Sequence, residues 1–160
     1  MGGCYDTNSD PDKGVIQRVV QELFNEIQEK PEYSFLIKVS YLEIYNEDIN
    51  DLLCPPANRE PLTIRENITG GIMLQGLIEK EVRSYENTMK YLQMGKNHRT
   101  TGATARNNQT SRSHAIFIIN IEMKKKDDES DSISSKFNLV DLAGSEKANR
   151  TKAEGERFKE

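Results

Sequence analysis

The sequence predicts a mixed α/β fold. Three observations carry that expectation. Apolar residues recur at helical spacing near the start of the chain. A long run rich in β-branched and aromatic residues follows over positions 33–45. Two further apolar runs, at 115–123 and 133–141, flank a charged tip, which reads as a hairpin. Antiparallel strands beside helices make an α/β layer arrangement.

The elements follow in chain order. Residues 4–13 are rich in Asp, Asn, Ser and Pro and read as a loop. Val15, Ile16, Val19, Val20, Leu23, Phe24 and Ile27 place an amphipathic helix over 14–29, with Pro31 marking its end. Residues 33–45 carry Phe35, Ile37, Val39, Tyr41 and Ile44, a long strand. Ile49, Leu52 and Leu53 suggest a short helix over 47–53, ended by Pro55-Pro56. Short strands are expected at 62–66, 72–74 and 78–82, broken at Gly70-Gly71. Ser84 reads as an N-cap, with Asn87 where a capping box has its acid. The helix it opens is expected to run to about Met94, with Gly95 as its C-cap. The segment 124–131 is a charged tip in which Lys124, Lys125 and Lys126 face Asp127, Asp128 and Glu129, a self-neutralising, solvated turn.

Composition narrows the function classes. The chain has 160 residues, enough for a single core. Charged residues make up 30% and the net charge is −4, so no broad basic surface points to nucleic acid. No apolar run approaches the ~20 residues of a membrane span. Met1-Gly2-Gly3-Cys4 has Asp6 where N-myristoylation needs Ser or Thr. Cys4 and Cys54 lack metal-ligand spacing and read as reduced thiols. No His/Cys/carboxylate cluster supports a metal-only or Ser-His-Asp enzyme. His98 reads as a solvent-facing loop residue and His114 as a strand-start residue with a hydrogen bond.

Two loops carry the chemistry. Asn107-Asn108-Gln109-Thr110-Ser111-Arg112-Ser113-His114 gathers hydroxyls and a guanidinium before the hairpin. Asp141-Leu142-Ala143-Gly144-Ser145-Glu146 follows it, with an Asp at the end of an apolar strand, then a Gly, then a Glu. A nucleoside triphosphatase needs such parts to sense a γ-phosphate and Mg2+. An Asp at a sheet edge can hold Mg2+ through water, or can simply cap a turn. Gly144 lets a backbone N–H approach a phosphate, or is a plain turn glycine. Arg112 and Glu146 can form a bidentate pair, or a surface pair worth ~0–1 kcal/mol. The sequence contains no G-x-x-x-x-G-K-S/T loop, and no N-K-x-D motif, which counts against a small GTPase-like switch protein.

These two loops resemble switch I and switch II of kinesin motor heads. Tyr41-Leu42-Glu43-Ile44-Tyr45-Asn46-Glu47, with Ile49 and Asp51-Leu52-Leu53, resembles the same family's strand-then-turn signature. The resemblance covers essentially the whole chain. Lys152-Ala153-Glu154-Gly155, the Tyr41 segment and Ser113-His114-Ala115-Ile116-Phe117 look most like the chromosome-associated subfamily. The implied fold is a partial kinesin-type P-loop NTPase head, a mixed β-sheet flanked by helices. Residues 1–160 would be its central part, without the P-loop strand and the C-terminal part.

The resemblance also implies roles. Glu146, Arg112 and Thr110 would be catalytic, with Thr110 standing where the family typically has serine. Asn107, Ser111, Ser113, Gly144 and Arg99 would contact nucleotide or latch the switches, Arg99 by pairing with Asp141. Here Asn97-His98-Arg99 departs from the family, which usually has Asn directly before this Arg. Asp141 and Ser111 would reach Mg2+. Lys147, Arg150 and Lys152 would meet the acidic tubulin surface, whereas Ile68, Thr69 and Gly70 stand where motors often carry cations. The implied activity is ATP hydrolysis coupled to movement along microtubules, with ATP and Mg2+ as cofactors and these 160 residues inactive by themselves. The alternative is a catalytically dead tubulin-binding module. Neither nucleic acid nor membrane is an expected partner of this region, and any dimerisation would use a coiled coil outside it. The implied location is the cytoplasm and microtubule cytoskeleton, extended by the subfamily resemblance to spindle, chromosomes and nucleus. The 137–141 strand is expected to present an apolar edge prone to strand pairing.

Overall fold

A computed structural model describes residues 14–66, 68, 70–103 and 112–144, without the side chains of 101–103 and 128–131. Helix α1, Val15–Gln28, forms where the helical spacing predicts it. It has no N-cap side chain, so the Gln17 side chain accepts from the Gly14 N–H instead, at 3.2 Å. Strand β1 spans Tyr33–Tyr45, as expected.

The segment after β1 is a strand, not a helix. Asn46 and Glu47 both adopt positive φ, 49° and 68°. That is the two-residue turn whose twist matches a hairpin, and it closes on the pair Tyr45↔Asp48. β2, Asp48–Asp51, therefore returns along β1. Leu52 and Leu53 then drop into the core. A short 3-10 turn at Pro56–Asn58 follows.

β3, Thr63–Glu66, and β4, Ile72–Gln75, make a separate two-stranded hairpin. β5, Lys80–Val82, pairs with β1 beyond the end of β2. Ser84 is the cap of α2, accepting from the Asn87 N–H at 3.1 Å. This helix does not stop at Met94: α2 runs over Tyr85–Ala103. Gly95 lies inside it because β1 is close. A Cβ there would sit 2.2 Å from Cδ1 of Tyr41, so Gly95 serves a helix–sheet contact and not a C-cap.

β6, His114–Lys125, and β7, Asp128–Asp141, form the long hairpin. The ladder extends further toward the tip than the charge pattern implies, with an irregularity between Lys124 and Lys125. The main sheet has the order β2-β1-β6-β7, and all its pairings are antiparallel among the described residues. Odd-numbered residues of β1, β6 and β7 face α1 and α2. Ile37, Val39, Tyr41, Phe117, Ile119 and Ile121 pack there with Val20, Phe24 and Leu92. Each fully buried side chain of this kind contributes roughly 1.5–3 kcal/mol. The opposite face, with Ser40, Leu42, Ile116 and Ile118, borders an open groove of about 900 Å3 under the β3–β4 hairpin. Among the described residues no helix is long and apolar enough to cross a membrane.

Candidate functional site: a guanidinium between two carboxylates

The register of three strands sets the site. Glu43 on β1 is opposite Ala115 on β6, and Ala115 is opposite Asp141 on β7. The three residues form one row at the end of the sheet, on the helix face. Two strand spacings put the outer Cα atoms about 10 Å apart. Ala115, 1% exposed, is the small residue between the acids.

Arg99 of α2 supplies the charge between them. Its Nη1 donates to Asp141 Oδ2 at 2.8 Å. Its Nε lies 3.5 Å from Glu43 Oε1, an ion pair without hydrogen-bond geometry. Nε and Nη2 both donate to Ser113 Oγ, at 3.3 and 3.1 Å, and Nη2 also donates to the Ser113 carbonyl at 3.0 Å. One buried guanidinium thus binds the strand ends of β1 and β7 and the residue that opens β6. The two acids differ in setting. The Glu43 side chain is 3% exposed and that of Asp141 is 69% exposed.

Neighbouring groups complete the frame. The Tyr41 ring packs edge-on against Phe117, with centroids 5.4 Å apart. Burial pushes the Tyr41 phenol above its ordinary pKa. The Arg99 charge opposes that rise, while Asp141 and Glu43 add to it. His98 is on α2, half-buried, rather than in a solvent-facing loop. Its Nδ1 lies 2.8 Å from the Leu52 carbonyl, and since a carbonyl only accepts, Nδ1 carries the proton. His114 opens β6 and does the reverse: its Nδ1 accepts from the Ala143 N–H at 3.1 Å. That bond holds the chain beyond β7 next to Ser113.

Of the site residues expected from sequence, the structure brings together Arg99, Ser113 and Asp141. Arg112 is half-buried immediately before Ser113, and Gly144 is exposed just beyond β7. Asn107, Thr110, Ser111, Glu146, Lys147, Arg150 and Lys152 lie outside the described residues, so the Arg112–Glu146 pair does too. Glu43 was legible only as part of a signature, not as a site residue. Its signal was a lone charge in the otherwise apolar alternation Phe35, Ile37, Val39, Tyr41. Among the described residues no cluster of three His, Cys, Asp or Glu could hold a metal.

Comparison with known proteins decides the family. The kinesin motor domain model matches residues 1–160. The chain belongs to the kinesin motor domain family. It is 52% identical over 162 residues to chromosome-associated kinesin KIF4A of Homo sapiens, covering 100% of this chain and 13% of that protein. It is 43% identical over 168 residues to kinesin-like protein KIF27 of Mus musculus, covering 99% and 12%. A solved structure of a fast kinesin superposes with a TM-score of 0.83 at 39% identity, over 94% of this chain and 42% of that one. The present kinesin chain thus spans about 13% of the length of the first of these relatives. The row of Glu43, Ala115 and Asp141 lies within a kinesin motor domain sequence.

Proposed function

We propose that the complete protein is a microtubule-based motor that couples ATP hydrolysis to movement along microtubules. The observation that carries this reading is the Arg99 bridge, which ties Ser113, within the first switch motif, to Asp141, which opens the second. A nucleotide-sensing head needs two loops whose positions are linked. Relatives named as chromosome-associated kinesins, and a fast kinesin whose description concerns ATPase mechanism and interactions with microtubules, support it.

Asp141 fits a Mg2+ role through the chemistry of its donor. It offers a hard carboxylate, 69% exposed, at the C-terminal end of a strand, with Oδ2 taken by Arg99. Asp141 and Ser111 are the residues that would hold the ion. Bound Mg2+ neutralises charge on the phosphoryl group being transferred. Thr110 would lie beside the attacking water, with Asn107, Ser113 and Gly144 near the phosphates. Arg112 and Glu146 would close the two switches on each other, with Glu146 in the proton path. Lys147, Arg150 and Lys152 would meet the acidic track. The location that follows is the microtubule cytoskeleton of the cytoplasm, with spindle and chromosomes indicated by the relatives' names. Glu146→Ala in a complete head should leave nucleotide binding and remove most hydrolysis; undiminished steady-state turnover would sink the assignment.

The 160 residues by themselves are a different case. They contain no G-x-x-x-x-G-K-S/T loop, the main cradle for the β- and γ-phosphates. That favours, for this stretch alone, a tubulin-binding module without measurable ATPase. Microtubule co-sedimentation with and without ATP separates the readings. Saturable, salt-sensitive pelleting that ignores nucleotide supports the module. No pelleting by the folded chain excludes it.

A further inference from the structure

The two acids that share Arg99 are not equivalent, and their difference has a direction. Glu43 is in the middle layer of the sheet, on a strand paired along both edges. Its carboxylate is almost wholly buried, and Oε1 accepts no hydrogen bond among the described residues. A buried carboxylate in that state is tolerable only beside a compensating charge. The Arg99 Nε, 3.5 Å away, is that charge. Asp141 is on the outer strand of the described sheet, with its side chain largely in solvent. Its 2.8 Å bond to Arg99 is therefore open to competition from water on the acid's side, whereas Glu43 has no such alternative.

Two more features fix Arg99 on the Glu43 side. Tyr41 and Glu43 are two residues apart on β1 and share its helix face. Gly95 and Arg99 are four apart on α2 and share one side of the helix. Gly95 lets the helix settle onto the Tyr41 ring, which delivers Arg99 to Glu43 one turn later. Ala115 leaves room above the row, where a larger side chain would compete with the guanidinium.

We propose that Glu43 is the fixed anchor of the latch: it holds Arg99 over Ala115 while the exposed Asp141 is the partner that comes and goes. Glu43 is a positioning residue, acting through Arg99 and touching no substrate. The inference rests on the motor reading for its consequence, because there the two switch segments that Arg99 joins change position with nucleotide. The geometry of the anchor stands without it.

The test uses the complete motor head without nucleotide and reads solvent exchange of the Arg99 Nε–H by 15N NMR. Glu43→Gln, which keeps the shape and removes the charge, should speed that exchange roughly tenfold or more. Asp141→Asn should leave it close to the parent value. Protection kept in Glu43→Gln and lost in Asp141→Asn would overturn the proposal, making Asp141 the anchor. If Glu43→Gln fails to fold, the Asp141→Asn arm decides alone: exchange that stays slow supports the anchor and fast exchange refutes it. Microtubule-stimulated turnover is the second readout. Glu43→Gln should lower kcat about tenfold with KM for ATP within about twofold, a split that a merely weakened fold does not produce. A parent head with no microtubule-stimulated turnover would remove the motor reading, and the exchange data would still decide the anchor.

Discussion

Gly95→Ala adds one methyl group where α2 meets β1. The new Cβ would lie 2.2 Å from Cδ1, 2.8 Å from Cε1 and 3.2 Å from Cγ of Tyr41. Carbon atoms in good contact sit about 3.5–4.0 Å apart, so the shortest approach is more than ~1 Å too close. The ring has little room to yield. Tyr41 is 4% exposed and packs edge-on against Phe117, which is fully buried. Overpacking of a core costs ~1–3 kcal/mol, and this overlap belongs at the upper end. Alanine in a helix interior recovers about 1 kcal/mol relative to glycine. The net loss is about 2 kcal/mol, which lowers Tm by roughly 4–8 °C at this chain size. Thermal unfolding followed by far-ultraviolet circular dichroism measures it. The decisive comparison is the same substitution in a Tyr41→Ala background, which removes Cγ, Cδ1 and Cε1 together. With the ring gone, only the helix-propensity gain of ~1 kcal/mol should remain, and the sign should reverse. A Tm that is unchanged or higher for Gly95→Ala in the parent sequence would refute the contact as the reason for the glycine.

Asp51 is 2% exposed, and its two oxygens accept from the Leu53 and Ile78 N–H groups, each at 2.7 Å. Asp51→Ala leaves one buried and one half-buried donor unpaired and should cost about 2–4 kcal/mol in urea unfolding, whereas a cost below ~1 kcal/mol would mean water replaces the carboxylate. The Tyr41 phenol has a folded-state pKa raised, first by burial. A raised value gives stability that is fully present below the unfolded pKa of ~10 and is lost as pH rises through the folded value. Stability should therefore fall above about pH 10, and Tyr41→Phe should lessen the fall; an identical alkaline profile in the two proteins would exclude Tyr41 as its source. Ser84→Ala removes the cap of α2 and should cost about 1 kcal/mol by the same urea assay, with no change expected only if another group satisfies the Asn87 N–H. On β7, Ile133, Phe137 and Val140 are about half exposed. Light scattering of the 160-residue chain should report self-association that Phe137→Lys reduces, and a monomer at all concentrations would speak against an exposed pairing edge.

Strong local signals settled much of this protein from its sequence. The 3.6-residue repeat of α1 and the β-branched run of β1 gave both elements nearly to the residue, because one buried face imposes one period. The switch-like motifs around the β6–β7 hairpin point to the family by residue type and order alone. Tertiary structure decided the rest. The turns of α2 beyond Gly95 have no apolar repeat to announce them. Polar contacts to other elements hold them: His98 to Leu52, and Arg99 to Glu43, Ser113 and Asp141. β2 escaped notice because Glu47, not glycine, takes the second positive-φ position of its turn. Nothing in the linear order sets Glu43, Ala115 and Asp141 side by side. Strand register does that, and register is fixed only when the hydrophobic faces of β1, β6 and β7 pack together.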